Sequence, residues 1–213
     1  MKECVNCVLQ YMYVFWYHET MTQYKIEDTN KMSWEEVTEL IDIVQSKTEH
    51  YFSGLGEKVS IISPILRTGG IVGSILAINM KIIKMLPVQF KYQYNPIDIK
   101  QMITVPDILS DIESPVNILL CDGNTGTGTT AVKAAKILKE KYPTAKVYLA
   151  TLTRVFGCAE KLEGIEEVFY GRMTEETYRA NEQERKEYDL RPGITVFPWE
   201  KAEDELKDVN GIS

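Results

Sequence analysis

Between positions 116 and 130 the chain reads Val-Asn-Ile-Leu-Leu-Cys-Asp-Gly-Asn-Thr-Gly-Thr-Gly-Thr-Thr. A short apolar run closes on one acid, Asp122. The next eight residues, 123–130, are three glycines, four threonines and an asparagine. Glycines let a loop turn sharply and bring its backbone close to a ligand, and threonines add hydroxyls. From Ala131 onward, apolar residues recur at helical spacing between good helix formers. The loop therefore opens onto a helix N-terminus, where unpaired N–H groups and the dipole favour an anion. Eight residues exceed a plain strand-to-helix connection, which takes about 2–6. The chemistry this pattern suits is the holding of a phosphate.

Three phosphate-binding motifs compete for these residues. Residues 123–130 have the P-loop spacing G-x-x-x-x-G-x-T, but Thr129 stands where that motif needs Lys. Residues 126–131 match the dinucleotide fingerprint with a final Ala, yet the next strand, 146–152, ends without the acid that fingerprint requires. The third reading takes four apolar residues at 118–121, the acid Asp122, and Thr127-Gly128-Thr129-Thr130. This resembles the phosphoribosyl pyrophosphate motif of the type I phosphoribosyltransferases. Two further stretches agree with it. Pro64-Ile-Leu-Arg-Thr-Gly-Gly-Ile71 resembles the pyrophosphate loop of that family, with Thr68 between Arg67 and the glycines. Ile194-Thr-Val-Phe-Pro-Trp-Glu200 resembles the C-terminal ending of its xanthine, guanine and hypoxanthine enzymes. The likeness spans roughly residues 33–200, without 174–191.

The resemblance implies a reaction: ribose 5-phosphate passes from phosphoribosyl pyrophosphate to a purine-like base, and pyrophosphate leaves. Asp122 then accepts hydrogen bonds from the ribose hydroxyls, and Arg67 supplies charge to the pyrophosphate. Mg²⁺ accompanies the leaving group, with Asp122 as its protein ligand. Thr68, Gly69 and Gly70 bring backbone to the pyrophosphate. Asn124, Thr125, Gly126, Thr127, Gly128, Thr129 and Thr130 cradle the 5′-phosphate. Arg154, at a strand end, reads the 6-oxygen of the base, while Phe197 and Trp199 in a hood stack on its ring. A side chain at position 128 should block the donor and leave the fold intact. Two positions depart from the family pattern: Gly123 replaces a second acid, and Gly126 replaces the aspartate of 6-oxopurine enzymes. These glycines keep a second reading open, a regulatory protein of the same fold that binds a nucleotide or the sugar donor without turnover.

Around these residues the pattern is strand, helix, strand. Ser33-Trp-Glu-Glu36 is a capping box, and Trp34, Val37, Leu40, Ile41, Val44 and Thr48 follow at helical spacing to an end near 53–54. Strands are expected at 58–65, 86–94, 116–121 and 146–152, with a short edge strand at 166–170 and a helix at 70–84. Residues 174–191 read as a solvated helix or loop. Alternating strands and helices predict an α/β fold, a parallel central sheet flanked by helices, with a small C-terminal hood. The domain reading is an N-terminal extension at 1–30, a phosphoribosyltransferase-like domain with hood at 31–200, and a tail at 201–213.

Composition narrows the class further. With 213 residues, 44% hydrophobic and 26% charged, the chain can bury a full core without disulfides or metal. A net charge of −7 with no basic stripe argues against nucleic-acid binding. The apolar, aromatic run at 4–17 is too short to span a bilayer, so no membrane partner is expected. The four cysteines demand no oxidising compartment, and Cys4 and Cys7 have zinc-like spacing with no second pair. A cytoplasmic homodimer acting on small molecules is the expectation.

Overall fold

The computed structural model of the chain describes residues 23–94, 97–108, 115–176 and 180–210. Its centre is a six-stranded sheet. In chain order the strands are β2 (Ile61–Leu66), β3 (Val88–Tyr94), β4 (Ile97–Gln101), β5 (Asn117–Thr125), β6 (Lys146–Val155) and β7 (Val168–Thr174). Their spatial order is β4-β3-β2-β5-β6-β7, parallel throughout except for β4, which returns antiparallel along β3. β5 and β6 lie inside the sheet, and their runs at 118–121 and 147–150 are continuously apolar because both faces are covered there.

Three helices cover the sheet. On one face lie α1 (Trp34–Leu55) and α2 (Thr68–Asn79). Their core side chains include Val37, Leu40, Val44, Val72 and Leu76, packed on Leu119, Cys121, Ala150 and Leu152. On the other face α3 (Thr129–Lys141) sets Ala131, Ala134, Ala135 and Leu138 against Ile118, Leu120, Val147 and Leu149. Residues on β5 and β6 alternate between the two cores, as the two-residue period requires. The capping box of α1 is formed: the Ser33 hydroxyl accepts from Glu36 N–H, and the Glu36 carboxylate accepts from Ser33 N–H. That helix runs on to Leu55, where Gly56 takes a left-handed conformation (φ 66°).

A hood stands at the carboxyl end of the sheet. β1 (Thr29–Lys31) and β8 (Ile194–Val196) pair in parallel as a separate two-stranded sheet. α5 (Ala202–Val209) packs beside them, and Tyr24 and Asn210 exchange two hydrogen bonds. A short α4 (Glu182–Glu187), capped by Asn181, lies between β7 and β8.

Several expected boundaries move. β5 extends four residues past Cys121 and β6 three past Leu152, because the two strands go on pairing (Asp122 with Thr151, Thr125 with Arg154). α2 ends at Asn79, not 84. Lys81 adopts φ 58°, and the bonds Ile82 N–H to Ala77 O and Lys81 N–H to Ile78 O close the helix end. Thr29 and Asn30, in the stretch read as an N-terminal extension, pair with β8, and residues 202–209, in the stretch read as a tail, form a helix. The reading of Cys4 and Cys7 lies outside the described residues. No helix among the described residues is long and apolar enough to cross a membrane.

Candidate active site

β2 and β5 are neighbours, but the chain leaves them in opposite directions: β2 leads through α2 to β3 on one side, and β5 leads through α3 to β6 on the other. The two connecting loops therefore part above adjacent strand ends and leave a crevice, the place where open α/β sheets hold ligands. One wall is Arg67 to Gly70, and the other is Asp122 to Thr130.

The cradle is tighter than the sequence suggests. Asn124 and Thr125 are strand residues, so the loop proper is Gly126-Thr127-Gly128, and α3 begins at Thr129. Gly128 sits at φ 75° and has no side chain to cap the helix start, where Thr129 N–H meets the Thr127 hydroxyl at 3.5 Å. The first helical bond is Val132 N–H to Gly128 O, which leaves Thr130 and Ala131 N–H pointing out of the helix end toward the loop. The Thr127 and Thr129 hydroxyls lie 2.8 Å apart at the same rim. This geometry suits a phosphate.

Two residues expected in the cradle lie in β5 and have other surroundings. The Asn124 side chain donates to Glu176 Oε1 (2.8 Å) and accepts from the Thr153 hydroxyl (3.0 Å). Thr125 is buried, and its hydroxyl has no partner among the described residues. The expectation for Gly128 is also corrected. A Cβ there would come within 2.5 Å of the Leu162 side chain in a backbone conformation that disfavours any L side chain, so substitution would damage the fold as well as the cradle.

On the opposite wall the Leu66–Arg67 peptide is cis and Arg67 is exposed. α2 starts without a side-chain cap. Gly69 packs so closely on β5 that a Cβ would lie 2.1 Å from the Cys121 carbonyl oxygen. The Thr68 hydroxyl donates to Glu200 Oε1 at 2.9 Å, and Glu200 Oε2 accepts from Phe197 N–H.

Asp122 stands between the walls. Its carboxylate accepts from Gly123 N–H (2.8 Å). Burial pushes its pKa up to about 7, with the Gly123 bond pulling down and the charge of Glu200 adding to the rise. Burial likewise raises Glu176, with donors from Thr195 and Asn124 opposing it and Glu200 adding to it. Glu200 and Glu176 were not among the expected site residues. Glu200 closed the Pro-Trp-acid ending, whereas Glu176 fell in the stretch read as solvated.

Position 123 explains itself sterically. A Cβ on Gly123 would lie 2.2 Å from the Thr68 methyl and 3.1 Å from the Phe197 ring. Phe197 is only 3% exposed and stacks on Trp199 (centroids 4.9 Å, planes 4° apart). It is a core residue of the hood and offers no free face to a base, which corrects its expected role. Trp199 also meets Trp34 at 5.5 Å, and its indole N–H is buried with no partner among the described residues. Arg154 is corrected too: its guanidinium donates to the Ala159 carbonyl and lies over the Tyr170 ring, so it is engaged at its own strand end.

A cavity of about 560 Å³ opens at the far end of the sheet, among Glu57, Lys58, Ser60 and Lys84. It lies at the amino end of β2, away from the crevice where the Gly126–Gly128 loop and Asp122 meet.

Solved structures carry the same architecture. The chain is similar to a purine phosphoribosyltransferase from Pyrococcus horikoshii Ot3 (17% identity, TM-score 0.57, covering 82% of this chain and 95% of that one). It is similar to the xanthine-guanine-hypoxanthine phosphoribosyltransferase of Helicobacter pylori (15% identity, TM-score 0.54, 84% and 99%). A third is a hypothetical protein from Neisseria gonorrhoeae with bound ppGpp (16% identity, TM-score 0.52, 86% and 97%). The fold is that of the type I phosphoribosyltransferases. No protein-family model and no curated protein matches the sequence.

Proposed function

We propose that the protein transfers ribose 5-phosphate from phosphoribosyl pyrophosphate to a purine-like base and releases pyrophosphate. The observation that carries this reading is the crevice itself: a helix start behind Gly126-Thr127-Gly128, facing the Arg67–Gly70 loop, with Asp122 between them. The 5′-phosphate fits the cradle through Thr130 and Ala131 N–H and the Thr127 and Thr129 hydroxyls. The pyrophosphate fits the opposite wall, where Arg67 supplies positive charge. Asp122, when ionised, accepts from the ribose hydroxyls and stabilises positive charge developing on the sugar.

The donor set suits Mg²⁺. Asp122 and Glu200 are hard carboxylate ligands, and the charge of Glu200 adds to the cost of ionising Asp122. A cation held by these two carboxylates would take further oxygen ligands from substrate phosphates. When bound it would neutralise charge on the departing pyrophosphate.

The base belongs under the hood, where Trp199 lies partly buried beside Trp34. The test is calorimetric titration with phosphoribosyl pyrophosphate and Mg²⁺, followed by pyrophosphate release with hypoxanthine, guanine, xanthine, adenine and orotate. Donor binding followed by release with one of these bases is the expected result. Binding without release from any base favours the second reading, a nucleotide-responsive regulatory protein. Gly123 and Gly126 support that alternative, as does the ppGpp bound to the Neisseria gonorrhoeae protein. No measurable donor binding would overturn the transferase reading and leave the regulatory one to a titration with nucleotides.

A further inference from the structure

Glu176 follows β7 at the point where the sheet meets the hood, and three separate parts of the chain converge on it. Its Oε1 accepts from Asn124 Nδ2 at 2.8 Å, at the end of the cradle strand β5. The same oxygen accepts from the backbone N–H of Thr195 at 3.3 Å, in hood strand β8. Its backbone carbonyl accepts from the Tyr24 hydroxyl at 3.2 Å. Asn124 is held from the other side as well, since the Thr153 hydroxyl donates to its Oδ1 and so fixes which way the amide faces. A single carboxylate oxygen thus ties the strand that carries Asp122 to the strand that leads into Phe197, Trp199 and Glu200. Among the described residues no named strand of the main sheet pairs with β1 or β8; a bridge of Glu175 with Pro192 and the bond from Gly193 N–H to the Glu175 carbonyl join the end of β7 to the start of β8, and Glu176 adds the link from β8 to β5.

We propose that Glu176 is a positioning residue that seats the hood over the crevice by bonding β5 and β8 at once. It acts through Asn124 and Thr195 and touches no reacting atom. What it requires is an acceptor oxygen, which glutamine also offers in the same place. Removing that oxygen leaves two part-buried N–H donors unpaired and frees β8 to shift relative to Asp122. The phosphate cradle, built from backbone of the 126–131 segment, stays intact.

The kinetic part of this inference rests on the proposed transferase reading, and the structural part does not. Two readouts therefore test Glu176→Ala and Glu176→Gln: hydrogen exchange at the Thr195 amide, and the separate KM values for base and donor. In Glu176→Ala, Thr195 exchange should quicken by at least about tenfold and KM for the base should rise by a similar factor. KM for the donor should stay within about twofold, because its phosphate contacts do not pass through Glu176. Glu176→Gln should keep both readouts near wild type. Thr195 exchange unchanged in Glu176→Ala, or Glu176→Gln as damaging as Glu176→Ala, would overturn the proposal. If the wild type shows no turnover, the transferase reading fails and the exchange measurement alone decides this one. Should Glu176→Ala fail to fold, Asn124→Ala removes the β5 half of the bond. It should raise KM for the base and leave the donor unaffected, and an unchanged KM for the base would count against the inference.

Discussion

At the residue scale, restoring an acid at position 123 should harm the protein. The place a side chain would enter is filled by the Thr68 methyl at 2.2 Å and by the Phe197 ring. Gly123→Asp should cost about 1–3 kcal/mol through overpacking, more if its charge is buried unpaired. Thermal unfolding would register that as a Tm lower by roughly 2–4 °C per kcal/mol in a chain of this size. A variant as stable as wild type and more active would show that the hood yields easily. Asp122 makes a different prediction. Its pKa of about 7 in the folded protein exceeds the 3.8 of an unperturbed aspartate, so the native state holds that proton more tightly than the unfolded chain. Stability should therefore fall as pH rises from about 4 to about 7 and level off above. Urea unfolding between pH 5 and 8 should show this decline in wild type and lose it in Asp122→Asn. Equal slopes in the two proteins would sink the assignment. Turnover in Asp122→Asn should drop by roughly ten- to a hundredfold, since a charge-assisted bond strengthened in the transition state is lost.

At the scale of elements, Gly128 joins loop chemistry to packing. Gly128→Val should destabilise the protein and abolish donor binding together, because φ 75° and the Leu162 side chain both oppose a side chain there. Adding Leu162→Ala should relieve the contact but not the backbone strain, so recovery in urea unfolding should be partial; full recovery would mean the contact alone mattered. This pair also shows how much could be read from the chain. Gly128 was legible as a glycine turning a loop into a helix, but Leu162, 34 positions away, was not, because nothing local signals a contact of that range. The capping box at Ser33 and the apolar period of α1 were legible because they are written within one or two turns. The ends of β5 and β6 were not. Asp122, Asn124 and Thr153 look like loop residues, and only the neighbouring strand keeps them extended. α2 ran past its end in the sequence reading because a lysine, not a glycine, takes the left-handed position. Glu200 sat in a recognisable motif without an assigned role. Phe197 was read as a stacking face because a sequence does not reveal which ring a neighbour already covers.

At the scale of the whole molecule, the segment between β7 and β8 is fastened by a nearly buried ion pair. The Glu175 carboxylate, 1% exposed, takes two bonds from Arg185 (2.7 and 2.9 Å) and one from Ala180 N–H. The Arg185 bond and then that of Ala180, against the cost of burial, hold its pKa below the usual carboxylate range. Its stabilising contribution is present above the ordinary glutamate pKa and is lost as pH falls through the lowered one. Arg185→Ala should cost about 3 kcal/mol, the low end for an orphaned buried charge, since Arg185 itself is a third exposed. Urea unfolding at neutral pH checks this, and a loss below about 1 kcal/mol would class the pair with surface bridges.

The pairing of β1 with β8 joins residues near opposite ends of the described chain, and Tyr24 with Asn210 does the same. On a ribosome, β2 to β7 are all synthesised before β8 exists. The central sheet can assemble while β1 still waits for its partner, and closing so long a loop is the slowest entropic step in reaching the native contacts. The lid over the crevice is therefore completed last in biosynthesis. A chain stalled before Ile194 would carry both loops of the crevice without the strand that completes the hood above them.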